Sequence, residues 1–147
     1  MDIIVDIDGT IANAEHRLHH IQKSPKDWDA FFAACVDDEP INEVIDMVRA
    51  FRDGGLHRVV LCSGRSDQIK AETQAWLKSY RVGHDRLYMR TEGDHRPDEE
   101  VKAEMLAVMR AEGFNPVLAI DDRGTVCEMW KRLGLTVLVV NGTGGAF

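Results

Sequence analysis

Cysteine is scarce in this sequence. Of 147 residues only Cys35, Cys62 and Cys127 are cysteines, unevenly spaced and without a Cys-x-x-Cys pair. That argues against a disulfide framework and a thiolate zinc site, and the expectation is of reduced thiols in a cytoplasmic protein. Long apolar runs are missing, and none approaches the roughly 18 residues of a membrane span. Met1 and Asp2 lead straight into an apolar segment, with no basic region and no cleavage site, so no signal peptide is expected. Positive charge is also short: 18 Lys and Arg stand against 25 Asp and Glu, a net charge of −7. Such a balance excludes broad electrostatic binding to duplex DNA but leaves room for a local pocket that holds one phosphate or a strand end. No repeat, low-complexity tract or long linker divides the chain. Its length fits one domain over residues 1–147. Composition sets no oligomeric state.

A core is present. The hydrophobic fraction of 44% is ordinary for a globular chain, and the apolar residues fall in short buried-strand runs between helical patterns. Strands are expected at Ile3–Ile7, His57–Cys62, Leu87–Met89, Val117–Ile120 and Leu135–Val140, with Ser63-Gly64-Arg65 as a turn. Helices are expected near 13–22 and 26–36, then at Ile41–Arg52, Asp67–Tyr80, Pro97–Glu112 and Thr125–Leu133, several stopped by glycine. Alternation of this kind implies an α/β fold, a parallel sheet covered by helices on both faces.

Three of these strands end in polar residues: Asp6 and Asp8, then Ser63, then Asp121 and Asp122. In an open α/β sheet the carboxyl ends of the strands face one crevice, so these side chains belong together. Each motif alone is ordinary turn or helix-start chemistry. In combination they describe a site, because four converging carboxylates repel one another unless a cation joins them. Mg²⁺ suits such a set, since it takes oxygen ligands and needs few carboxylates. Gly9 permits a tight backbone turn beside them, Ser63 and nearby N–H groups can hold phosphate oxygens, and Lys102 adds positive charge.

The order Asp6-Ile7-Asp8-Gly9-Thr10, Ser63, Lys102, Asp121-Asp122 resembles the haloacid dehalogenase superfamily of phosphotransferases. The segments VVLCSGR, RPDEEVKAEM and LAIDDRGTVCEMWKRLGL are similar to the 3′-phosphatase domain of phage polynucleotide kinase-phosphatases. The resemblance implies a three-layer Rossmann-like fold with a small cap inserted after the first strand, about residues 11–40. It implies Asp6 as the nucleophile, Asp8 as general acid and base, and Ser63 and Lys102 on the transferring phosphate. Mg²⁺ would be held by Asp6, Asp8 through its backbone carbonyl, Asp121 and Asp122. The same matching puts Thr10, Arg17, Gly64, Arg65 and Asp98 at the substrate. A phosphorylated nucleic acid end or a nucleotide would be that substrate. No G-x-x-x-x-G-K-[ST] phosphate loop occurs, so no kinase domain is expected in this chain. A nucleotidase for mononucleotides uses the same chemistry and stays open. A phosphoryl-accepting receiver domain does not fit, because there the acidic pair comes first and the lysine last.

Other residues carry two readings. His16, His19 and His20 have helical spacing; a solvated or substrate-facing turn is favoured over a metal site. Trp28, Phe31 and Phe32 either stack on a base or form a small core under the insertion, and the core is favoured. Arg90 and Arg96 lie near the site by topology and could touch a second phosphate. Arg123 either orients a carboxylate or starts a helix.

Overall fold

The computed structural model describes residues 1–141. The first strand, β1 (Asp2–Val5), is buried along its whole length. Two short strands, β2 (Ala12–Asn13) and β3 (Glu39–Pro40), pair antiparallel and close off the segment between them. Within that segment lie a 3-10 turn at Glu15–His20, helix α1 (Trp28–Ala33) and a second 3-10 turn at Ala34–Asp37. Asp27 starts α1 by accepting the Ala30 N–H at 3.0 Å, as an N-terminal capping residue does.

The rest of the chain alternates. Helix α2 (Asn42–Asp53) leads to β4 (Arg58–Ser66), α3 (Lys70–Ser79) to β5 (Arg86–Arg90), α4 (Asp98–Ala111) to β6 (Pro116–Asp121), and α5 (Gly124–Arg132) to β7 (Thr136–Val139). The five long strands make one parallel sheet in the order β5-β4-β1-β6-β7.

Side chains on a strand alternate between faces, and β1 shows the consequence. Ile3 and Val5 pack with Ile45 and Val48 of α2 and Trp76 and Leu77 of α3. Ile4 packs on the opposite face with Met105, Leu106 and Met109 of α4 and Val126 and Trp130 of α5. Helices thus cover both faces, giving the expected three-layer α/β sandwich. No helix among the described residues is long and apolar enough to cross a membrane.

Strand order decides where the site sits. From β1 the chain builds outward through β4 and β5, then returns to the other side of β1 for β6 and β7. The reversal falls at β1, and loops beyond the carboxyl ends of strands on either side of such a point diverge to leave a crevice. Asp6 stays locked to β6, since its N–H donates to the Ile120 carbonyl at 3.0 Å.

One expected turn is strand instead. β4 continues through Ser63-Gly64-Arg65 to Ser66, which pairs with Arg90 after a register irregularity. An irregularity of this type re-aims side chains without ending the strand. Here it buries both Ser63 and Arg65, each 1% exposed.

Leu61 is fully buried in the cluster beneath β1 and β4. Leu61→Ala should lower unfolding free energy in urea titration by about 2–5 kcal/mol.

Candidate active site

The tip of β1 folds on itself. The Ile7 carbonyl accepts the N–H groups of Thr10, Ile11 and Ala12 at 3.1, 2.9 and 3.0 Å, and Gly9 N–H donates back to the Ala12 carbonyl at 2.8 Å. Ile7 and Ile11 are fully buried and anchor the loop. Gly9 has φ +84, and a Cβ there would sit 2.0 Å from Asp122 Oδ2. Only glycine meets both the backbone angle and the close approach of that carboxylate.

Asp6 is 4% exposed. Lys102 Nζ donates to its Oδ1 at 2.8 Å, and the Thr10 hydroxyl donates to its Oδ2 at 3.0 Å. The same lysine donates to Asp121 Oδ2 at 2.9 Å. Asp121 is further fixed by Trp130 Nε1 at 3.3 Å and by the N–H groups of Asp122 and Arg123 at 2.9 and 3.2 Å. Ligand oxygens of Asp6, Asp121 and Asp122 all lie within 4.8 Å of one another. Among the described residues this is the one cluster of three potential metal ligands.

Charge balance in that cluster is unfavourable without a cation. Burial, then the neighbouring Asp121, push the Asp6 carboxyl well above its ordinary pKa, with Lys102 opposing them. Burial and Asp121 push Asp122 up to about 6. For Lys102, burial works against the charged form, but Asp121 and Asp6 outweigh it and hold the ammonium charged. One buried ammonium among three carboxylates leaves an excess of negative charge on hard oxygen donors. The donor set fits a divalent cation such as Mg²⁺.

Asp8 belongs to a different charge group. Its carboxylate accepts from Arg17 at 2.6 Å and from Arg65 Nε and a terminal guanidinium nitrogen at 3.1 and 2.8 Å. Both arginines also bind Asp38, Arg17 at 2.8 and 2.7 Å and Arg65 at 3.0 Å. His16 Nε2 reaches the same Asp38 at 2.7 Å, and Trp76 Nε1 donates to its backbone carbonyl at 2.9 Å. Arg17 spends a further donor on the Phe31 carbonyl and Arg65 one on Thr73. Burial raises the Asp8 pKa, but Arg65 and Arg17 more than cancel it and hold the carboxyl below its usual value.

This geometry can be set beside known proteins. Residues 1–147 match the family model described as the polynucleotide kinase PNKP phosphatase domain. The chain belongs to that family. It is therefore a phosphatase of the haloacid dehalogenase type. A bifunctional polynucleotide kinase/RNA ligase of Autographa californica nuclear polyhedrosis virus is 27% identical over 132 residues, which cover 89% of this chain and 18% of that one. A chain of the Pnkp1/Rnl/Hen1 RNA repair complex superposes with a TM-score of 0.80 at 26% identity, covering 99% of this chain and 43% of that chain. The chain thus spans less than half the length of either relative. A predicted phosphatase from Clostridium acetobutylicum shares the fold at a TM-score of 0.71 and 12% identity, over 99% of this chain and 87% of its own.

The expected site residues of this phosphatase fall into several groups. Asp6, Lys102, Asp121 and Asp122 are brought together. Four converging carboxylates were expected, and three converge, because the Asp8 side chain turns to the arginines. Arg17 and Arg65 have fully buried side chains. Both grip Asp8, and Arg65, unlike Arg17, also forms part of the cavity wall. Thr10 is fully buried and spends its hydroxyl on Asp6, so it orients that carboxylate and does not face a substrate. Ser63 lies within β4, three residues before its end, and its Oγ accepts the Arg65 N–H at 3.1 Å. Gly64 makes room for Asp98, since a Cβ there would lie 2.2 Å from Asp98 Oδ1. Asp98 binds Arg90 at 2.9 Å, with Arg123 at 3.6 Å and Lys102 at 4.0 Å; it ties cations in place. Arg90 also donates to the carbonyls of Gly64, Asp94 and Arg96. Arg96 is engaged by Asp94 and Glu104. Both arginines brace the 91–97 loop, with most of their donors on protein.

Asp38 was not singled out by the sequence. It precedes Glu39 and Pro40 like any turn residue, and only the fold brings it between two arginines that are 48 positions apart. Asp38→Asn leaves the two buried guanidiniums with Asp8 as their one shared carboxylate. The expected cost is about 3–5 kcal/mol of unfolding free energy in urea titration, with the melt still cooperative.

Proposed function

We propose that this phosphatase is a Mg²⁺-dependent phosphomonoesterase that passes the phosphoryl group through Asp6 and removes 3′-phosphates from nucleic acid ends or nucleotides. The observation that carries this reading is the opposed environment of two carboxylates on one loop. Asp6 sits in the acidic cluster beside Lys102, and Asp8 is held by Arg17 and Arg65. Both line a cavity of about 460 Å³ that also reaches Lys102, Asp121 and Asp122. Carboxyls pushed apart in this way mark a division of roles.

In this reading Asp6 attacks phosphorus and the ester P–O bond breaks. Thr10 and Lys102 fix the orientation of Asp6 while it does so. The leaving oxygen takes a proton from the Asp8 carboxyl. Water then attacks the acyl phosphate, Asp8 accepts its proton, and Asp6 is released with inorganic phosphate. The resting geometry, with Asp8 ionised between two arginines, suits the second step. For the first step the substrate's own negative charge, arriving beside Asp8, raises its pKa by like-charge repulsion. Asp6, Asp121 and Asp122, with the Asp8 backbone carbonyl, would hold the Mg²⁺. When bound, the ion neutralises phosphoryl oxygens and keeps the nucleophilic carboxylate ionised. Residues 11–40 act as a small cap whose α1 edge borders the cavity.

A nucleic acid end is supported by the family and by the two long relatives, whose names refer to polynucleotide kinase and RNA repair. A mononucleotide is favoured by the cavity rim, where Asp29, Glu92 and Asp94 offer no welcome to a long polyanion. Phosphate release with Mg²⁺ decides between them. The rate on a 3′-phosphorylated oligonucleotide should exceed that on 3′- and 5′-mononucleotides. A preference for mononucleotides makes the chain a nucleotidase, and no release from any of them overturns the reading.

Asp6→Asn should reduce turnover to background. Asp8→Asn should retain substrate binding and lose about 10²–10⁴-fold in turnover, read as kcat and KM on the preferred substrate.

The acidic cluster also predicts a pH dependence. The folded pKa of Asp122, about 6, lies above the unfolded value of about 4, and Asp6 is raised as well. Groups raised in this way favour the folded state while protonated, so their contribution is present below about pH 4 and fades as pH rises through about 6. Mg²⁺ needs the ionised forms. Thermal melts should therefore show the metal-free protein weakening across that window, and a Mg²⁺-induced rise in Tm that is larger at about pH 7.5 than at about pH 5.

A further inference from the structure

The insertion's aromatic cluster divides between two environments. Phe31 is 2% exposed, with the Arg17 guanidinium 4.4 Å above its ring. It is core, as the sequence favoured. Trp28 is different. It is 43% exposed, a large apolar area left in water, and it lines the same cavity as Asp6 and Asp8. Phe32, also on the cavity wall, stacks beside it with ring centres 5.9 Å apart and planes at 29°. Phe31 meets the Trp28 ring edge-on at 5.7 Å. Two neighbours thus flank the indole, and contiguous aromatic surface left in water beside a cavity is the kind of surface that binds a partner or ligand. Lys26 Nζ lies 5.6 Å from the Trp28 ring centre. No hydrogen bond or ion pair of this exposed lysine is found among the described residues, so it can move aside.

We propose that Trp28, backed by Phe32, is the seat on which the terminal base of the substrate stacks while its phosphate lies at Asp6. The proposal rests on the nucleotide reading above and adds a specificity residue to it. A flat aromatic accepts any base, because every base has a π-face. Recognition here would therefore be for the presence of a base and indifferent to its identity. Once displaced from the ring, the Lys26 ammonium is free to approach the phosphodiester on the 5′ side of that nucleotide.

The test compares a 3′-phosphorylated oligonucleotide with the same strand ending in a 3′-phosphorylated abasic sugar. For the unaltered chain the ratio of kcat/KM should favour the base-bearing end. In Trp28→Ala that ratio should fall about tenfold, through KM on the base-bearing strand, and Trp28→Phe should restore most of it. A binding readout runs in parallel. Trp76 and Trp130 are 4% and 0% exposed, so Trp28 is the one tryptophan that a ligand can reach. In Asp6→Asn, a 3′-phosphorylated mononucleotide should quench tryptophan emission, and Asp6→Asn combined with Trp28→Phe should lose the quench. An unchanged ratio in Trp28→Ala, with the base-bearing strand still cleaved, overturns the seat and leaves the phosphatase reading standing. Absence of cleavage of either strand by the unaltered chain overturns both.

Discussion

The contact on which this site depends is the buried ammonium of Lys102 between Asp6 and Asp121. These three residues come from α4, the tip of β1 and the end of β6, and 96 positions separate Asp6 from Lys102. All are nearly inaccessible. An isolated charge in such a place would be prohibitive, and removing one partner of a buried pair leaves the other uncompensated. The lysine is therefore structural and chemical at once. It allows two acidic strand ends to lie side by side across the central strands, and it fixes the Asp6 carboxylate at the cavity.

Around that contact the chain builds two charge groups of opposite excess within one loop. Three carboxylates share one lysine on the Asp6 side. On the Asp8 side, two arginines serve Asp8 and Asp38. Residues two positions apart thus experience opposite fields, and their pKa values move in opposite directions. Gly9 stands between the groups. Its missing side chain lets Asp122 close against the loop, so the separation of the two environments is set by a residue with no charge of its own.

Most of the scaffold was legible in the sequence because it rests on local rules. Apolar runs gave the strands, Gly and Pro gave the helix limits, and the polar strand ends gave the acidic cluster through topology alone. What escaped was decided by long-range partners. Arg17 and Arg65 read as substrate-binding cations, and their shared partner Asp38 is visible only once the fold packs both against it. Ser63-Gly64-Arg65 has the composition of a turn, yet pairing with β5 carries the strand onward across an irregularity. Thr10 reads as a phosphate-facing hydroxyl, but its hydrogen goes to a carboxylate four residues earlier. In each case the residue type was noticed and its partner was not, because partners of buried charges are set by tertiary contact.

The distribution of positive charge then bears on how an anionic substrate is recognised. The chain carries a net charge of −7, and the cations around the cavity are largely committed to protein. Arg17 and Arg65 are sunk beneath Asp8, Arg90 and Arg96 brace a loop, and Lys102 is consumed by the acidic cluster. Little remains for tracking a backbone over many phosphates, which is how affinity for long nucleic acid is usually gained. A site so arranged gains its selectivity close to the reacting phosphorus. The aromatic wall of the insertion lines the same cavity as Asp6, and the proposed stacking of a base gives the exposed tryptophan on an otherwise charged rim a role that packing does not.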